Sequence, residues 1–336
     1  MLEVIVAIFI LLSLIVYALM GGADFGGGMW DLLATGPRAS RQRKAVADAI
    51  GPIWEANHVW LILVIVLLFT GFPGGFAAMM TALNIPLTAM LIGIVLRGAT
   101  FAFRKEVSQS GVAQSRWGAI FGAASFFTPF CQGLTLGALA TGRIRVENGQ
   151  VTTGFFAGWL TPFALACGVF ALSLFAFLAA VYLTLDTRDE PDLQNDFRRR
   201  ALWSELALAP IALVVFFTSK TGAPAMYDGL TRWWAPLLLA WTSLFALAAL
   251  VALWLRRFSA ARIAAIGQAT VILAGWSLAQ YPNLVTPDVT VANAAAPEAT
   301  LRLLVLALGA GAIVLLPSLA FLFHIFKGGR TLDEGS

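Results

Sequence analysis

Between Leu2 and Met20 the chain carries a single charged residue, Glu3, and stretches of the same kind recur along its 336 residues. About 20 apolar residues in a helix cross the roughly 30 Å hydrocarbon core of a bilayer. A backbone in lipid must satisfy its own hydrogen bonds, which leaves helices or closed barrels. The two-residue alternation of barrel strands is absent, so the expected fold is all-α, a polytopic transmembrane helical bundle. Hydrophobic residues are 59% of the chain and charged residues 12%, against roughly 45–50% and 25% in soluble domains. The first run starts acidic, exceeds the apolar core of a signal peptide and lacks an A-x-A-like cleavage site. It is expected to be a retained helix.

Apolar runs and their flanking punctuation predict nine spans: about 2–22, 53–70, 76–103, 117–140, 155–185, 202–219, 235–255, 262–280 and 301–326. Residues 1–336 then form one integral-membrane domain, divisible into two four-helix bundles, about 1–140 and 155–280, with a last helix over 301–326. Nine spans put the termini on opposite sides and sort the loops into two alternating sets. One set holds 16 Lys and Arg, within 38–44, 104–116, 188–200, 256–262 and 327–330. The other holds five, Arg143, Arg145, Lys220, Arg232 and Arg302, while Arg97 falls inside a span. The positive-inside rule makes the richer side cytoplasmic, with the N-terminus outside and the C-terminus inside. The pI of 9.4 follows from these dispersed juxtamembrane charges and calls for no nucleic acid. The longest loops, 187–200 and 281–300, are too short for a soluble domain. Two tripeptides, Thr128-Pro129-Phe130 and Thr161-Pro162-Phe163, fall inside predicted spans, where proline bends a helix.

Ionisable groups inside a bilayer cost several kcal/mol unless paired or wetted, so each is a functional candidate. Here they are Asp24, Glu55, His58, Arg97, Glu205 and His324. The predicted spans place all six in the cytoplasmic third, an arrangement that fits an entry mouth for protons or ions. The competing reading is structural: the groups snorkel or pair, Arg97 with Asp24 or Glu55 for instance. Glu55 and His58 share one helix face at i and i+3, and Asn57 beside them adds a donor and an acceptor. Trp54 and Trp60 bracket this segment as interfacial anchors.

Glu55-x-x-His58 matches half of a bundle di-metal site, but no second such motif exists, so no metal is expected. Two histidines could not ligate several haems. Cys131 and Cys167 lie in apolar runs as small hydrophobes. The segment Gly21-Gly22-Ala23-Asp24-Phe25-Gly26-Gly27-Gly28 lacks a preceding strand and the G-x-G-x-x-G spacing of a nucleotide loop. Small residues clustered there at a helix end permit close helix contact, with Asp24 held against a neighbour.

Several of these segments together resemble subunit II of the cytochrome bd-type ubiquinol oxidases, with a length similar to the cyanide-insensitive branch. The marks are Gly22-Ala23-Asp24-Phe25-Gly26-Gly27-Gly28-Met29, the basic loop 38–44, Ile53-Trp54-Glu55-Ala56-Asn57-His58-Val59-Trp60, and Leu96-Arg97-Gly98 with Phe103-Arg104. The resemblance is sharpest over 1–140. It implies a heterodimer with a haem-bearing subunit I that holds haems b558, b595 and d and the quinol-oxidising loop. A small accessory subunit and a structural quinone occur in some relatives. It further implies oxidation of quinol, reduction of dioxygen to water and proton uptake from the cytoplasm, in the bacterial inner membrane. Glu55 matches the family's acid after tryptophan, associated with proton entry between the subunits, and Asp24 matches its acid in the glycine motif, with Asp24, Asn57 and His58 as supporting groups on the proton pathway. Some members carry another acid between the aromatics that follow the third-span arginine, where this chain has Ala102. A different class of function, a stand-alone proton-coupled transporter, would place its polar groups near the bilayer midplane. An inert scaffold would tolerate neutralisation of every buried acid.

Overall fold

The computed structural model describes residues 1–51, 54–106 and 111–328, with backbone only at 54–55, 102, 104–106, 111–115, 315–316, 319–320 and 322–328. The chain is predominantly helical, in the order α1 (Leu2–Gly21), a π-helical segment (Gly22–Gly26), α2 (Gly27–Leu32), α3 (Ala39–Ile50), α4 (Trp54–Gly71), α5 (Pro73–Ala82), α6 (Asn84–Glu106) and α7 (Gly111–Ala140). A hairpin of β1 (Val146–Glu147) and β2 (Gln150–Val151) leads to α8 (Pro162–Asp186), α9 (Pro191–Gly222), α10 (Pro224–Leu230), α11 (Ala235–Trp254) and α12 (Phe258–Gln280). A second hairpin, β3 (Asn283–Val285) and β4 (Val289–Thr290), precedes α13 (Glu298–Gly328). Both hairpins are antiparallel.

Among the described residues seven helices are long and apolar enough to cross a membrane, and one bent pair adds an eighth if it counts as a single span. That pair is Ala56–Gly71 with Pro73–Ala82, bent by 118°. The sequence-predicted third span, 76–103, is therefore divided: α5 turns away under Pro73, packs on β2, β3 and β4, and α6 starts afresh at Asn84. The first span does not end at residue 22, because the helix continues through the π segment to Leu32.

Two other boundaries move for reasons of proline chemistry. Pro162 opens α8 at its first turn instead of bending a helix from inside, and Thr161 caps it, its side-chain oxygen accepting from the Ala164 N–H at 3.1 Å. Proline's missing N–H costs nothing at that position and its φ suits a helix start. Of the two tripeptides only the first lies inside a helix, with Pro129 in α7. Pro191 likewise opens α9, so most of the charged 187–200 segment is the first turns of a 32-residue helix.

The centre of the bundle is α8, which packs on α7, α9, α12 and the π segment. Lipid offers little hydrophobic gain for helix association, so close backbone approach through small residues carries much of the contact. At the α7–α8 seam a Cβ on Gly133 would lie 2.3 Å from the Cys167 carbonyl oxygen. Phe72, Leu83, Leu139, Ile144, Val285 and Val289 form the core at the hairpin end.

Candidate functional site

The glycine segment is a helix interior. Asp24 sits in the π segment, eight residues short of the end of the helix at Leu32. A π turn accommodates one extra residue and is a frequent mark of functional positions. Its glycines admit neighbouring chains: a Cβ on Gly26 would fall 2.0 Å from the Phe175 carbonyl oxygen of α8. A Cβ on Gly28 would fall 2.1 Å from the Ser125 hydroxyl oxygen of α7. The expectation of close contact holds, while the expectation of a helix end does not.

This approach brings Asp24 to Arg97. The arginine is thirteen residues past the start of α6, about 20 Å along its axis. Its Nη2 lies 2.5 Å from Asp24 Oδ1 and 2.7 Å from the Asp24 carbonyl oxygen, and its Nε donates to Ser125 Oγ at 3.1 Å. The guanidinium also lies over the rings of Phe25 and Phe121, 4.8 and 4.9 Å from their centroids. Asp24 is 0% exposed and Arg97 2%. Of the two partners the sequence allowed for Arg97, Asp24 is in place, and the Glu55 side chain lies outside the described residues.

Asn57 joins α4 to the pair. Its Nδ2 donates to Asp24 Oδ2 over a long 3.4 Å, and its Oδ1 is buried without a partner. His58 meets the Phe25 ring edge-on at 6.5 Å. Trp60 is half-buried against the cluster of Ile15, Tyr17 and Phe25. The side chains of Trp54, Glu55, Ala102 and His324 lie outside the described residues.

Glu205 does not join this group. It lies fourteen residues into α9, where Gln268 of α12 donates to its Oε1 at 2.8 Å. α9 begins eleven residues earlier than the predicted span, and its first turns carry the charged residues that precede Glu205.

Polar residues without charge were missed. Ser125, Thr128, Gln132 and Thr135 follow one face of α7 at helical spacing, and Gln132 donates to the Tyr17 hydroxyl at 2.5 Å. Gln132 Oε1 and Thr135 Oγ1 are buried without partners. The signal was present as amides and hydroxyls at i, i+3, i+7 and i+10 within an apolar run. Outside the apolar core, Arg38 makes a bidentate contact with Asp196 at 2.8 and 2.7 Å, Gln42 donates to the same carboxylate at 2.8 Å, and Arg200 donates to Gln42 Oε1 at 2.7 Å. This network fastens α3 to the start of α9. Among the described residues no three of His, Cys, Asp and Glu converge as metal ligands do.

A family model described as cytochrome bd terminal oxidase subunit II matches residues 2–326. The chain belongs to that family. It is a multi-pass membrane subunit of a quinol oxidase, an oxidoreductase complex containing haem. Membership sets aside the stand-alone transporter. The Bacillus subtilis "Putative cytochrome bd menaquinol oxidase subunit II" is 24% identical over 93% of this chain and 91% of its own length. The Escherichia coli K12 cytochrome bd-I ubiquinol oxidase subunit 2 is 29% identical over 64% of this chain and 54% of its own. The bd oxidase structure from Geobacillus thermodenitrificans superposes with a TM-score of 0.76 at 21% identity, covering 97% of this chain and 98% of that one. The two relatives are named for different quinols, so their names do not assign one to this subunit.

Proposed function

We propose that this subunit conducts protons from the cytoplasm toward a haem-bearing subunit I, with the entrance at the start of α4. In that assembly haems b558, b595 and d of subunit I supply the electron transfer to dioxygen. The residues here would do the proton handling. Glu55 takes up the proton, and His58 and Asn57 on the same helix carry or orient it. The Asp24–Arg97 pair fixes the helices around them. The N-terminus lies outside, the C-terminus is cytoplasmic, and the membrane is the bacterial inner membrane. A small accessory subunit and a bound quinone remain compatible additions.

The observation that carries this reading is Asn57. It sits two residues after Glu55, touches the buried Asp24 carboxylate through one end of its amide, and offers the other end as an unpartnered buried acceptor. A buried acceptor of that kind costs about 1–3 kcal/mol unless water or another donor reaches it. It thus links the acid-bearing end of α4 to the interior of the bundle. The test is Glu55→Ala in the purified complex. Oxygen consumption should fall by an order of magnitude or more while haem absorbance and subunit stoichiometry stay unchanged. Normal turnover in a fully assembled variant would reject the role.

A further inference from the structure

Glu205 and Gln268 form a second polar site, and its hydrogen-bond inventory does not balance if Glu205 is ionised. Both residues are buried, 4% and 3% exposed. Glu205 lies on the inward stripe of α9 with Ala201 and Leu208, and Gln268 on that of α12 with Ala261, Ala264, Ala265 and Ala269. Gln268 is ten residues from one end of α12 and twelve from the other, about 15 and 18 Å along the axis, so the pair sits near the middle of a membrane-spanning helix. One hydrogen bond joins them, from Gln268 Nε2 to Glu205 Oε1. Glu205 Oε2 and Gln268 Oε1 are both buried and partnerless.

An ionised carboxylate and an amide carbonyl are acceptors only, so two acceptors would share one apolar pocket with no donor between them. Reversing the amide does not help, since it again sets an oxygen against an oxygen. No countercharge is available either. Among the described residues Glu205 makes no ion pair. The neighbouring cations are engaged elsewhere, Arg200 over the rings of Trp30 and Phe197 and Arg262 over the ring of Tyr182. Tyr182 is the titratable group that α8 contributes to the same cluster. Asp24 faces a guanidinium across 2.5 Å, whereas Glu205 faces an amide. An isolated buried charge takes up or releases a proton before it bears the full desolvation cost.

We propose that Glu205 is held as a neutral carboxylic acid and that Glu205 with Gln268 is a proton-binding site inside the membrane, separate from Asp24 and Arg97. The carboxyl proton is the donor the pair lacks, and Gln268 Oε1 is the acceptor that takes it. The site is independent of the entrance at Glu55 and stands or falls apart from it.

Infrared spectroscopy of the purified oxidase complex tests this. The unmodified complex minus Glu205→Gln should show one protonated-carboxyl C=O stretching band that shifts in D2O and persists between about pH 6 and 8, where an ordinary glutamate of pKa about 4.3 is ionised. Glu205→Gln should assemble at the unmodified level, because its amide supplies the same shape and both hydrogen bonds. Loss of carboxylate stretching bands in the difference spectrum, in place of the carboxyl band, would overturn the proposal. So would failure of Glu205→Gln to assemble, since a site that rejects the neutral isostere requires the charge.

Discussion

The Asp24–Arg97 pair sets up an asymmetric prediction. In Asp24→Asn the guanidinium stays buried but keeps the residue 24 carbonyl oxygen, Ser125 Oγ and two aromatic faces. In Arg97→Met the carboxylate keeps, among the described residues, the Asn57 amide at 3.4 Å. Removing one member of a buried ion pair costs about 3–5 kcal/mol, chiefly for the charge left behind. Asp24→Asn should fall near the lower figure and Arg97→Met near the upper. At about 1.4 kcal/mol per factor of ten, these correspond to losses of roughly two and nearly four orders of magnitude in the folded population. The double variant leaves no charge stranded, so it should be less damaged than Arg97→Met alone. Thermal denaturation of the purified complex, followed by haem absorbance, ranks the three. Additive losses in the double variant, or a harmless Arg97→Met, would refute the view that each charge is there to neutralise the other.

Close packing at the π segment gives a second test. Gly26→Ala puts a methyl group 2.0 Å from the Phe175 carbonyl oxygen, which must force α1 and α8 apart; overpacking of this kind costs about 1–3 kcal/mol or more, read as reduced yield of the assembled complex. Gly36→Ala meets no neighbour within 4 Å but has a φ of +79°, so it should cost about 1 kcal/mol through backbone strain alone. At the hairpin end, Asp288 accepts from Arg145 at 2.8 and 3.1 Å and from the Val146 N–H at 2.9 Å. Partial burial raises its carboxyl pKa, but these hydrogen bonds prevail and hold it below the ordinary carboxylate range. A depressed folded pKa stabilises at all pH above the unfolded value, about 3.9 for aspartate, and the benefit is lost as pH falls through the lower folded value. Hydrogen-exchange protection of the Val146 amide should therefore be level from about pH 5 to 8 and drop only in stronger acid. Asp288→Asn should remove that acid dependence.

The candidate site was legible in part. Asp24, Arg97 and Asn57 stand out in the sequence because charge and amides are expensive in an apolar run, and the structure brings these three together. Their distances could not be read, since they lie on three helices separated by up to 73 residues. The Tyr17–Gln132 contact and the polar face of α7 escaped notice because uncharged amides and hydroxyls scarcely depress hydropathy. Glu205 was visible, but its partner Gln268 was not, and the start of its helix was missed because Pro191 was not recognised as a helix opener and the charged residues after it were read as loop.

Sequence alone determined the class of fold, the existence of the long helices and the family, because these depend on local quantities: runs of apolar residues, rare charges and short motifs. Tertiary structure decided everything that depends on what lies across an interface. It carried the first helix through a run of glycines to Leu32, because α7 and α8 approach where their Cβ atoms would stand. It folded α5 back at Pro73 against two hairpins that no apolar pattern announces. It also set one buried acid against an arginine and another against a glutamine, and in a medium that cannot solvate charge the identity of that one neighbour separates the two.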